Sequence, residues 1–133
     1  MEKYTFVVDI DDTICVSEKI PGTDRFDYSN SIPIQRVVQK IIQLKEAGHR
    51  IILFTARGMR TYNGDVELIK KHVQPVLEDW LHRHGVPYDE LHVGKPWGPN
   101  VYYVDDKALS PSDFVGYSIG EYQAFTEFKK IKP

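Results

Sequence analysis

One cysteine stands in this 133-residue chain, Cys15; that excludes an internal disulfide and fits a reducing compartment. With no histidine near it in sequence to activate it, Cys15 reads as a small buried hydrophobe and not as a nucleophile. No apolar run is long enough to span a bilayer and no signal peptide is apparent, so a cytoplasmic protein without a membrane partner is expected. Neither sign of charge dominates. The 17 Lys and Arg against 19 Asp and Glu leave a formal net charge of -2, which gives no bulk reason to bind nucleic acid. Internal repeats, linkers and low-complexity stretches are also lacking, so a single domain over 1–133 is expected.

What is present begins at Thr5-Phe6-Val7-Val8-Asp9-Ile10-Asp11-Asp12-Thr13, an apolar run ending in three carboxylates and a hydroxyl. A short β-branched and aromatic run reads as a buried strand, and in open parallel α/β sheets ligands bind beyond the carboxyl ends of strands. Side chains alternate along a strand, so Asp9 and Asp11 can share one side while Asp12 points away. Two like charges this close call for a neutralising group, and a hard divalent cation is one solution. The bland alternative is a capping cluster that opens a helix.

The chain then becomes polar and turn-rich to Pro33, read here as a flap over about 15–33 that borders the carboxylates. Ile34, Val37, Val38, Ile41 and Ile42 fall at helical spacing, Gly48 stops the helix, and Arg50-Ile51-Ile52-Leu53-Phe54 follows as a second strand. Strand, helix and strand with a short return make a βαβ unit, so the two strands should be parallel and Thr55 should share the edge with Asp9 and Asp11. A hydroxyl there can donate to a phosphate oxygen, and Arg57 and Arg60 can supply positive charge to an anionic substrate. Taken alone, Thr55 is as well explained as a cap and either arginine as a solvated loop residue.

Asp65 to His84 is helical by pattern with a break at Pro75, and Glu90 to Gly94 reads as a third strand. His82 and His84, two apart on a helix, do not share a face and make no metal pair. A further apolar run, Val101-Tyr102-Tyr103-Val104, leads into Asp105-Asp106-Lys107 and reads as another strand ending in carboxylates. A helical turn near Ser110 to Phe114 and a packing helix from Glu121 to Lys130 close the chain.

Asp-x-Asp-x-Thr at a first strand end, Thr at a second, then Lys, then Asp-Asp is the motif order of the haloacid dehalogenase (HAD) superfamily of phosphohydrolases, which this chain resembles. More narrowly, Thr55-Ala56-Arg57-x-Met59-Arg60-Thr61-Tyr62, Val93-Gly94-Lys95-Pro96-Trp97 and Tyr103-Val104-Asp105-Asp106-Lys107 resemble the small phosphatases of capsule and polysaccharide biosynthesis. Asp12 stands where those proteins usually have Gly, and Gly98-Pro99-Asn100-Val101-Tyr102 replaces a segment that usually differs. The resemblance implies a three-layer, Rossmann-like parallel sheet with helices on both faces and no cap domain.

It also implies roles. Asp9 would attack phosphorus and form an aspartyl-phosphate, and Asp11 would protonate the leaving group and then activate water. Thr55 and Lys95 would hold the phosphoryl oxygens. Mg²⁺ would be held by Asp9, Asp11, Asp105 and Asp106, with either of the last two as the direct ligand. Ala56, Arg57, Arg60 and Trp97 would line the substrate, a sugar phosphate or related metabolite. With no cap, the flap or a neighbouring subunit in a homo-oligomer would close the site. Two alternatives come from other classes: a catalytically silent binding relative, and a phospho-accepting receiver module. A receiver carries its lysine after its acidic residues, whereas here Lys95 precedes Asp105 and Asp106.

Overall fold

The computed structural model describes residues 2–133. Strand β1 (Thr5–Val8) runs into a tight reversal in which the backbone N–H groups of Thr13, Ile14 and Cys15 all donate to the carbonyl of Ile10. The turn is made at Asp12, whose φ of 63° lies in the left-handed region that ordinary side chains avoid. Strands β2 (Cys15–Val16) and β3 (Ile32–Pro33) then pair antiparallel. The segment predicted as an irregular flap is therefore a hairpin, with an additional bridge between Lys19 and Phe26. Its base is pinned to the core, since the Trp80 indole N–H donates to the Ser31 carbonyl at 2.9 Å.

Helix α1 (Gln35–Glu46) buries Val37, Val38 and Ile41 of the expected stripe and, beyond it, Leu44, while Ile34 and Ile42 are only partly buried against the core. Each buried side chain contributes about 2 kcal/mol by leaving water. The helix ends where His49 N–H reaches back to Leu44 and Gly48 adopts a φ of 91°, a conformation glycine takes without a side-chain clash. Strand β4 (Arg50–Phe54) returns parallel to β1, with Phe6 opposite Ile51 and Val8 opposite Leu53. Opposed residues share a face, so these four form one apolar layer. Phe6 meets the rings of Phe114 and Tyr122 at 5.6 and 5.5 Å, which fastens the C-terminal part of the chain to this layer.

Helices α2 (Val66–His72) and α3 (Gln74–Arg83) meet at Val73, with Pro75 in the first turn of the second, where its missing N–H costs nothing. Strand β5 (Glu90–His92) adds parallel to β4. Asp89, just before it, accepts from the Lys45 ammonium and the Ile51 N–H, and these contacts hold its carboxyl below the ordinary range, Lys45 most of all. Helices α4 (Pro111–Gly116) and α5 (Ile119–Lys129) each open on a capping box, Ser110 with Asp113 and Ser118 with Glu121. The result is a mixed α/β architecture, a three-stranded parallel sheet in the order β1-β4-β5 flanked by helices, compatible with a Rossmann-like fold. No helix among the described residues is long and apolar enough to cross a membrane.

One expected strand does not form. Val101 to Val104 is neither helix nor strand, with Tyr102 86% and Val104 98% exposed. Apolar character suits a residue for burial in a sheet, but a strand also requires a partner ladder, and this segment makes none. The outer edge of β1 is correspondingly unpaired, and Val7 within it is 62% exposed.

Candidate active site at the carboxyl ends of the strands

Because β1 and β4 are parallel and in register, Asp9 and Thr55 leave the sheet at the same edge, as the βαβ reading requires. Lys95 follows β5 and is tied to that edge by its backbone N–H, which donates to the Thr55 carbonyl at 3.1 Å. Its ammonium lies 3.2 Å from Oδ1 of Asp9, and the Thr13 hydroxyl donates to Oδ2 of the same carboxylate at 3.3 Å. Asp9 is thus held at both oxygens while remaining partly open to solvent. Thr13 belongs to the Asp-x-Asp-x-Thr motif, and its spacing of four from Asp9 is the signal that gives it this role. Tyr103 is a further neighbour that pattern alone did not reveal, its ring 4.4 Å from the Lys95 ammonium.

Asp11 is held by Arg57. The guanidinium donates from Nε to Oδ2 at 3.2 Å and from Nη2 to Oδ1 at 2.8 Å, a two-pronged pair that fixes the carboxylate plane. Arg57 is only 3% exposed and stacks on Tyr28 of the hairpin at 4.3 Å. It is neither a solvated loop residue nor an open anion binder; it is a buried positioning group for Asp11. Its Nη1 has no partner among the described residues. Cys15 lies below the pair, and burial first, then the Asp11 charge, pushes its thiol up to about 11. The small buried hydrophobe expected from the sequence is what Cys15 is, with no exposure to solvent. Thr55 is fully buried, its Oγ1 accepting the Arg57 N–H at 3.0 Å, so it shapes this loop from beneath. The carbonyl of Ala56 takes the Met59 N–H in the same loop.

Arg60 and Trp97 come together elsewhere on this edge, lining an open pocket of about 630 Å³ with Met59, Asn63, Gly64, Gly98 and Pro99. Asp105 and Asp106 do not join Asp9 and Asp11. They lie in the exposed segment beyond Tyr103, where an Asp105 oxygen accepts the Lys107 N–H in a local turn. Among the described residues no three His, Cys, Asp or Glu side chains converge as a metal shell. Asp9 is paired with Lys95 and Asp11 with Arg57, and Asp105 and Asp106 stand apart from both, so the four carboxylates that the resemblance assigns to Mg²⁺ are not gathered into one shell in this arrangement.

A comparison with protein-family models gives no match, and neither does one with curated proteins. Among solved structures, the crystal structure of an MCSG target from Vibrio cholerae is 38% identical to this chain, covering 96% of it and 99% of that protein, with a TM-score of 0.83. This chain and that protein belong to one family. The relationship carries the fold and leaves the chemistry to the residues at the strand ends.

Proposed function

We propose that this protein is a phosphomonoesterase of the HAD superfamily that transfers phosphoryl groups through Asp9. The observation that carries the reading is the grip on that carboxylate: Lys95 at one oxygen and Thr13 at the other, at the carboxyl end of a parallel strand. A carboxylate oriented by a cation is suited to meet a phosphate, because the ammonium that neutralises the nucleophile also attracts the anionic group it attacks. In the first half-reaction an Asp9 oxygen bonds to phosphorus as the bond to the leaving alcohol breaks, and Asp11, entering the cycle as the carboxylic acid with one oxygen turned away from Arg57, gives that alcohol its proton. In the second, water attacks phosphorus, returns a proton to Asp11, and frees inorganic phosphate and the Asp9 carboxylate. Arg57 and Thr55 act as positioning residues for Asp11 and its loop. Mg²⁺ is part of the proposal through the resemblance alone, and no step is routed through it. A sugar phosphate or related metabolite of polysaccharide assembly is the substrate class the same resemblance implies.

Hydrolysis of para-nitrophenyl phosphate by the purified chain tests the reading. Asp9→Asn keeps the shape of the side chain but cannot displace an alkoxide from phosphorus, so turnover should fall by roughly a thousandfold or more with an unchanged circular dichroism spectrum. A folded Asp9→Asn protein that keeps most of its activity overturns the assignment, and a wild-type protein with none favours the silent binding relative.

A further inference from the structure

The pocket beside the strand ends has a composition of its own. Its walls are the loops that leave β4 and β5; the second loop carries Lys95 two residues before Trp97, and neither Asp9 nor Lys95 lines the pocket. Arg60 is the only charged residue in its lining, and among the described residues its guanidinium forms no ion pair. The side-chain amide of Asn63 and the indole N–H of Trp97 likewise have no protein partner, while Met59 and Pro99 supply apolar surface. Three free donors around an apolar floor, one of them cationic, are the makings of a site for a polar anion with a ring. Trp97 is half exposed, so its face is available for stacking.

The wall is also preformed. Asn63 and Gly64 take φ values of 51° and 79° in succession, and the Gly64 N–H donates to the Met59 carbonyl at 2.9 Å to close the turn. Asn and Gly enter this region more readily than other residues, so the turn is held without strain.

We infer that this pocket holds the leaving group of the substrate, and that the substrate is the phosphomonoester of a hydroxylated ring bearing a second anionic group. Trp97 stacks on the ring, Arg60 pairs with the second anion, and the ester phosphate reaches Asp9 and Lys95. The inference rests on the phosphatase reading for its orientation, though binding to the pocket does not depend on turnover. The second anion is a carboxylate or another phosphate, and the two are distinguishable by experiment.

Four probes decide it: para-nitrophenyl phosphate, glucose 1-phosphate, glucuronic acid 1-phosphate and glucose 1,6-bisphosphate. In the wild type, kcat/KM for one or both doubly anionic sugars should exceed that for glucose 1-phosphate by roughly tenfold, about the effect of one added charge-assisted contact. In Arg60→Ala, checked for folding by its thermal melt, that preference should collapse to about twofold or less, and Arg60→Lys should recover only part of it. The carboxylate arm alone, or the phosphate arm alone, names the anion. Equal kcat/KM for all three sugars, with para-nitrophenyl phosphate still hydrolysed, overturns this inference and leaves the phosphatase standing. Should no phosphate be turned over, fluorescence decides instead: Trp97 emission, separated from Trp80 by a Trp97→Phe control, must still be quenched at lower concentration by the doubly anionic sugars than by glucose 1-phosphate. Equal quenching overturns the pocket assignment on its own.

Discussion

Arg57 grips Asp11 with two parallel hydrogen bonds while its own side chain is 1% exposed and that of Asp11 is 32% exposed. Truncating one partner of such a pair strands the other. Arg57→Ala should lower unfolding stability by about 2–3 kcal/mol in urea titrations, less than a fully buried pair because water still reaches Asp11. Arg57→Lys should recover part of the stability but not the fixed carboxylate plane, so its activity should stay well below the wild type. Equal activity of the Lys variant and the wild type would show that the fork geometry is unimportant.

The Cys15 thiol makes stability depend on alkaline pH. Its pKa is raised from 9.0 to about 11 in the folded chain, mainly by burial and then by the Asp11 charge. The folded state therefore binds the proton more tightly than the unfolded state does. The contribution is fully present below pH 9 and is lost as pH rises from about 9 to about 11. The urea midpoint should drop across that window, and the drop should shrink in Cys15→Ala. In the same vein, iodoacetamide should leave the native thiol unmodified at pH 8 while labelling it in urea.

Asp12 offers a test of the backbone reversal after β1. Its φ of 63° is natural for glycine and costly for a branched side chain. Asp12→Gly should change stability by about 1 kcal/mol or less, since relief of strain offsets the greater freedom of the unfolded chain. Asp12→Val should cost roughly 1–2 kcal/mol. A thermal melt that finds Val and Gly equivalent would contradict the turn geometry.

Mg²⁺ provides the sharpest test of the resemblance. Asp9, Asp11, Asp105 and Asp106 would hold the cation, and the last two follow a segment, Val101 to Val104, that pairs with no strand and would be ordered by holding it. Hydrogen exchange should therefore show the amides of 101–104 becoming protected as Mg²⁺ is added, and EDTA should reverse it together with activity. Asp105→Asn and Asp106→Asn should weaken Mg²⁺ binding by roughly tenfold or more for the direct ligand. Unchanged exchange rates together with activity in EDTA would remove Mg²⁺ from the proposal.

The elements legible in the sequence were those whose signal is local. The stripe of Val37, Val38 and Ile41, the stop at Gly48, the break at Pro75 and the short runs of β1 and β4 all express a period or a punctuating residue. Parallel pairing followed from them, and it brought Asp9 and Thr55 to one edge. The Arg57–Asp11 pair was not legible, because it joins residues 46 apart through a contact with no periodicity. The same holds for the hairpin, whose attachment depends on a bond from Trp80 to Ser31 across 49 residues. At Val101 to Val104 the pattern reported the character of the side chains correctly, but whether such residues make a strand is settled by a neighbour that lies elsewhere in the chain.

The open edge of β1 also matters in a crowded solution. Thr5 to Val8 contains no proline and no charge, the usual devices that keep an exposed ladder from recruiting another chain. Its outward N–H and C=O groups therefore form a template, and Tyr102 and Val104 stand uncovered on the same molecule. Keeping copies of this protein apart thus depends on what occupies that edge. Shelf life, tolerated concentration and the tendency to seed fibres should follow its occupancy more closely than they follow the depth of the hydrophobic core.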